Sequence, residues 1–215
     1  MNNTSIGVAG GWNSPQMSEA TNNALIKKHG FRRWYETLNA VPQSAGTSHN
    51  DTEGAEVRKL VLGSRVLELG CGGVKSVPQA VGLDFYAKGE AIPTLNQVSV
   101  ADVQGSVEAI PESLGKFDTI IARHLLEHVL DPLKALTHWR SFLNPDGRLV
   151  LAVPNEEMCE SVSLNPEHKH AFTPDSLARL LRASGFTVNC SVNPENRSSF
   201  VMAADVVREE AACPA

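Results

Sequence analysis

Residues 65–84 read RVLELGCGGVKSVPQAVGLD, and this stretch restricts the fold more than any other in the chain. The run 66–69 is apolar except for Glu68, as expected of a strand buried on both faces. Gly70, Gly72 and Gly73 follow; with no Cβ, they let the backbone turn closely beneath a ligand. Residues 81–83 form a second short strand ending in a carboxylate, Asp84. A strand, a glycine turn, a second strand and an acid together outline a nucleoside-binding crevice in an open α/β sheet.

A dinucleotide fingerprint would need a third glycine three residues after the second, opening a helix whose N-terminus holds a pyrophosphate. Lys75 stands there instead. The segment 74–80 is shorter than a typical helix and contains Pro78, so no helical anion site is expected. A cofactor with a ribose and no phosphates fits better.

Further pieces follow in order: ADV at 101–103, FDTIIARHLLEHV at 117–129, LNPDGRLVLAVPN at 143–155 and HKHAFTPDSLARLLRASGF at 168–186. With VLELGCGG at 66–73 and GLD at 82–84, they resemble the class I S-adenosylmethionine-dependent methyltransferases. The likeness is to the small-molecule type with a shortened segment after the glycine loop. It implies an α/β, Rossmann-like methyltransferase fold: a central, mostly parallel sheet with a C-terminal antiparallel hairpin. It also implies S-adenosyl-L-methionine as cofactor. Asp84 would accept from the ribose hydroxyls, Asp102 from the adenine amino group, and the Val103 amide would donate to a ring nitrogen. Gly70 and Gly72 would bring main chain against the ribose and methionine part. Glu68 and Arg123 complete the expected cofactor set, Glu68 either at the cofactor or on the glycine-loop backbone.

At 215 residues the chain is long enough for one α/β domain burying roughly 70% of its extended surface. The expected division is a helical extension and acceptor lid at 1–60, the cofactor-binding domain at 61–208 and a tail at 209–215. A formal net charge of −5 argues against a broadly basic surface, so nucleic acid is not an expected partner. Cys71, Cys159, Cys190 and Cys213 show neither metal-ligand spacing nor a disulfide framework. With no leader pattern and no apolar run of spanning length, a cytoplasmic protein without a membrane partner is expected. Oligomeric state is left open.

Residues 19–39 read as a helix in which Lys27, Lys28, Arg32 and Arg33 interleave with Phe31, Trp34 and Tyr35. It suits either packing on the domain or a flap over an anionic acceptor. A second helix is expected over 52–62 with Thr52 as cap, although nothing at 51–58 names a contact. Strands are expected at 98–103, delivering Asp102, at 117–122, presenting Arg123 and His124, and at 148–153 after an NPDG turn. Asp131 and Thr173, each before a proline, read as helix caps, and Gly185 as a helix stop. Residues 186–192 and 199–207 form the terminal antiparallel pair.

Methyl transfer from a sulfonium asks mainly for alignment and a pocket that closes on both partners. A hydroxyl acceptor would also benefit from a base, and His124 at the strand edge is the best placed of His124, His128, His168 and His170. His168 and His170 lack a third ligand at fixed spacing, so no metal site is expected. The expected activity is transfer of a methyl group to oxygen or nitrogen of a small molecule, anionic or aromatic. The alternatives are an RNA or protein methyltransferase and a non-catalytic binding protein that keeps the fold.

Overall fold

The computed structural model describes residues 49–93, 95–192 and 199–207. The expected helix at 19–39 and the tail at 209–215 lie outside them. Helix α1 spans His49–Leu60, so Thr52 lies within it rather than capping it. The strands are β1 (Val66–Leu69), β2 (Val81–Asp84), β3 (Ala91–Ile92), β4 (Gln97–Val98), β5 (Val103–Gln104), β6 (Phe117–Arg123), β7 (Leu143–Pro154), β8 (Phe186–Val192) and β9 (Ser199–Val206). Helices α2 (Pro132–Arg140), α3 (Ser161–Leu164) and α4 (Pro174–Ala183) follow β6 and β7 in the chain.

The main sheet has the order β5-β2-β1-β6-β7-β9-β8, and β3 and β4 form a separate small hairpin. Pairing is parallel from β5 to β7; β9 is antiparallel to β7, and β8 to β9. This is the Rossmann-like architecture with a terminal hairpin that the sequence implies. The strands are buried on both faces, with side chains alternating between two clusters at a period of two. Leu67, Ile120, Leu149 and Leu151 face α2 and α4, meeting Leu136, Trp139, Leu177 and Leu181. Val66, Ile121, Val150 and Ala152 face the other way, where Val57 of α1 joins them. Burying each of the large side chains contributes roughly 1.5–3 kcal/mol. The Trp139 indole N–H keeps its hydrogen bond by donating to the Val107 carbonyl at 2.7 Å.

The caps expected at Asp131 and Thr173 are present. Asp131 accepts from the Lys134 amide with Pro132 in the first turn, and Thr173 forms a reciprocal capping box with Ser176. Gly185 ends α4 with φ +84°. The 74–80 segment contains no helix. The NPDG sequence departs from expectation: β7 is paired on both sides of it. Phe117 pairs with Leu143 and Thr119 with Arg148, so 144–147 bulges out of one continuous strand. Asn144 donates to Asp118 at 2.8 Å and anchors the bulge. A cavity of about 350 Å³ at this bulge, lined by Leu62, Asp118 and Asp146, lies at the end of β6 away from Arg123 and His124.

Candidate active site

The C-terminal ends of β1, β2 and β6 meet at one edge of the sheet, where open α/β sheets hold ligands. At the β1 end, Gly70 and Gly72 take φ of +60° and +56°, a left-handed conformation that costs a side-chain-bearing residue roughly 1–2 kcal/mol. The turn is fixed from below: the Gly70 amide donates to the Leu83 carbonyl, and the Gly72 amide to Asp84 Oδ2, both at 2.8 Å. Asp84 Oδ1 accepts from the Tyr86 amide at 3.1 Å. Each oxygen of this buried carboxylate therefore keeps acceptor capacity for a ligand hydroxyl. Gly82 is required underneath, since a Cβ there would stand 2.8 Å from Cys71 Sγ.

Glu68 lies under the loop. Its two oxygens accept from the Ser76 amide at 2.9 and 2.8 Å and from Ser76 Oγ at 2.8 Å, so it holds the segment that replaces the first crossover helix. Arg58 donates to the Ser76 carbonyl and Arg123 to Ser76 Oγ. Glu68 and Arg123 thus shape the crevice from behind.

The strand expected at 98–103, and with it the placing of Asp102 and Val103, needs correction. Asp84 is in register with Gln104, not with Asp102, and Asp102 precedes β5 instead of ending a strand at 98–103. At about 3.3 Å per residue, Asp102 lies roughly 7 Å back from the edge where Asp84 stands. There it accepts from the Gly82 amide at 2.9 Å and from Lys75 Nζ at 2.8 Å, and these bonds lower its pKa. The residues level with and beyond Asp84 are Gln104, Gly105 and Ser106, with the Gly105 amide donating to the Asp84 carbonyl. Val98 belongs to the small hairpin with Ala91.

At the β6 end, His124 follows the strand with φ +48°, a strained conformation for a residue with a side chain. Its Nε2 lies 3.1 Å from Glu53 Oε2, and its Nδ1 3.6 Å from Glu127 Oε1. Glu53, fully buried on α1, also accepts from Arg123 Nε at 3.1 Å and from Ser199 Oγ at 2.7 Å. Burial works to raise the Glu53 pKa, but His124, then Arg123 and the Ser199 hydroxyl, hold it well below the usual carboxylate range. Burial likewise disfavours a charged His124, yet Glu53 and Glu127 outweigh it and push its pKa up to about 10. Both carboxylates therefore favour the protonated ring.

Glu127 lies in a 3-10 turn, Leu126–His128, and is buried, with no hydrogen-bond donor to either carboxylate oxygen. Its main-chain carbonyl accepts from the Lys169 amide at 2.7 Å, drawing 168–170 to the turn. The rings of His128 and His168 meet edge to face with centroids 4.7 Å apart, and burial lowers the His168 pKa. His170 bonds the Leu130 carbonyl. Sequence reading missed Glu53, Ser76, Glu127 and Ser199. Only Glu127, directly before His128 at a strand end, had a local signal.

Residues 49–191 match the model of the methyltransferase domain family. Curated relatives include a ubiquinone biosynthesis O-methyltransferase of Xanthomonas euvesicatoria, 31% identical over 116 residues, 48% of each chain. One of the same description from a Ruegeria species is 26% identical over 65% of this chain and 64% of its own. This chain thus aligns with about half the length of the first of these. Among solved structures, a Thermotoga maritima S-adenosylmethionine-dependent methyltransferase, described as a possible histamine N-methyltransferase, superposes with a TM-score of 0.55 at 20% identity. That match covers 71% of this chain and 87% of the other. A Streptomyces caelestis methyltransferase gives 0.57 at 15% identity, covering 78% and 99%. Among the described residues no helix is long and apolar enough to cross a membrane. With the glycine turn, Asp84 and the sheet order already in place, the chain belongs to the methyltransferase domain family and has the class I S-adenosylmethionine-dependent methyltransferase fold.

Proposed function

We infer that the protein transfers a methyl group from S-adenosyl-L-methionine to an oxygen of a small molecule. The observation that carries this is the crevice itself: two left-handed glycines bonded to a buried carboxylate that retains acceptor capacity, opening beside the β6 end. Oxygen is favoured over nitrogen by the curated O-methyltransferases, matched at 26–31% identity over part of their length.

The donor fits these residues. The glycine turn leaves room that a Cβ would fill, Asp84 can accept from two neighbouring hydroxyls, and the main chain at 104–106 lies where an adenine edge would be read. When bound, the donor supplies a methyl on a sulfonium, already activated for transfer. The protein's share is then alignment and exclusion of water. Arg123 and Glu68 fix the loop, and His124, held at Nε2 by Glu53 and standing beside Glu127, sets the shape and charge of the acceptor end. The RNA or protein alternative rests on the Lys27–Arg33 cluster, which lies outside the described residues.

Titration calorimetry with S-adenosylhomocysteine, the demethylated donor, tests the crevice: one site per chain is expected. Asp84→Ala should weaken it by about 1–3 kcal/mol. Unchanged affinity in a folded Asp84→Ala protein would refute the ribose role. Incubating cell extract with donor carrying a labelled methyl, followed by mass spectrometry, tests the acceptor class. Label appearing only in protein or RNA would overturn the small-molecule reading.

A further inference from the structure

We propose that Glu127, His128 and His168 form a binding site for one divalent transition-metal ion at the acceptor end of the crevice. The three offer one ligand atom each, all within 4.8 Å of one another, although their positions in sequence are 40 residues apart. The site's place in the reaction rests on the methyltransferase reading above; the ion site itself does not.

The first observation is Glu127. A carboxylate that is fully buried needs several hydrogen-bond donors or a cation, and neither of its oxygens receives a hydrogen bond. Nearby stand imidazole nitrogens: His124 Nδ1 at 3.6 Å and His168 Nε2 at 4.0 Å.

The second is the orientation of the rings. His128 places Nδ1 3.2 Å from the Glu167 carbonyl, an arrangement in which Nδ1 carries the hydrogen and Nε2 keeps its lone pair. Metal-binding histidines are commonly fixed by such a bond from the second nitrogen to a carbonyl or carboxylate.

The third is how the parts are held. Glu127 and His128 sit in one turn, and the Lys169 amide bonds the Glu127 carbonyl, so the segment bearing His168 is pinned against that turn by main chain. Drawing three ligand atoms around an ion with bonds of about 2.1 Å requires side-chain rotation rather than a new backbone path.

Two imidazoles and a carboxylate select the metal class. Magnesium, calcium and manganese prefer oxygen-rich shells, whereas imidazole donors suit zinc, iron, nickel and copper. Three protein ligands also leave a coordination position for a small-molecule oxygen, as in catalytic zinc sites. An acceptor hydroxyl bound there would be oriented toward the donor, and the ion would favour its deprotonated form.

The test uses the full chain without an affinity tag, stripped with chelator and dialysed. Calorimetric titration with zinc chloride and with nickel chloride should each give one site, and magnesium chloride none at the same concentrations. Loss of an outer-shell partner alone typically weakens metal binding about 10–100-fold, so Glu127→Gln and His128→Gln should each weaken it at least tenfold. His128 is only partly buried, so that variant should fold; a circular dichroism melt checks both. Absence of zinc and nickel binding by the wild-type chain, or unchanged affinity in folded His128→Gln, overturns the site. The same stripped protein is titrated with S-adenosylhomocysteine. Donor-product binding without metal binding defeats this inference and leaves the proposed function standing. Metal binding without donor-product binding supports the ion site and removes its place in methyl transfer.

Discussion

The two ends of the crevice are built on opposite principles. At the β1–β2 end the polar groups are satisfied by main chain from within about twenty residues: Gly72 on Asp84, Gly70 on Leu83, Ser76 on Glu68. At the β6 end the groups are charged side chains from distant parts of the chain. Glu53 joins Arg123, His124 and Ser199, the last 146 positions away. The first end is a rigid template that is complete without ligand. The second is a set of buried charges, one of which, Glu127, still lacks hydrogen bonds. The donor end therefore carries binding geometry, and the acceptor end carries the electrostatics and the dependence on the rest of the fold.

The largest effect that would test this contrast is loss of Glu53. Removing one member of a buried ion pair leaves its partners uncompensated and typically costs about 3–5 kcal/mol. Glu53→Ala strands Arg123 and His124 together, so chemical denaturation should show destabilisation in that range. A loss below about 1 kcal/mol would mean that the β6 end is hydrated and not a buried network, and the contrast would fail.

Next in size is a change at the template. Gly70→Ala must hold φ near +60° and brings a methyl to 3.0 Å from Leu125, the residue after His124. The backbone cost is roughly 1–2 kcal/mol. Stability should fall by that amount, and S-adenosylhomocysteine binding should weaken as the turn shifts, measured by denaturation and calorimetry on one preparation. Normal stability and affinity together would show that the turn is not rigid.

The same contrast explains what could be read from sequence. The donor end was legible because its determinants are contiguous: two strands, three glycines and an acid within residues 65–84, with Lys75 and Pro78 ruling out the helix that is indeed absent. The α2 and α4 caps were legible because Asp131 and Thr173 act on amides three residues on. Glu53 was not legible. It is one acid in a polar helix, and its importance comes from β6 and β9 arriving beside it. The NPDG bulge was hidden for a related reason, since a turn sequence does not say whether pairing resumes with the same neighbour.

Asp102 gives the smallest effect and the finest test. An apolar run followed by Asp and Val resembles the end of a strand, but register is set by the partner, and the partner of Asp84 is Gln104. Asp102 instead ties Lys75 to the start of β2, and its side chain is 38% exposed. An ion pair this exposed contributes about 1 kcal/mol or less. Asp102→Ala should therefore cost that much stability and leave S-adenosylhomocysteine affinity unchanged within about twofold. The sign of its pH dependence follows from the bonds from Gly82 and Lys75 that lower its folded pKa. Its contribution is present above the unfolded carboxylate value near 3.9 and fades as pH falls through the lower folded value. The difference in stability between wild type and Asp102→Ala should accordingly shrink below about pH 4. Acid denaturation series on the two proteins would measure it. A tenfold loss of donor-product affinity in Asp102→Ala, with stability unchanged, would restore the adenine role and move the binding edge back by two residues. Unchanged affinity places the adenine edge at Gln104–Ser106, where Ser106→Tyr, which adds bulk beyond the end of β5, should then block binding.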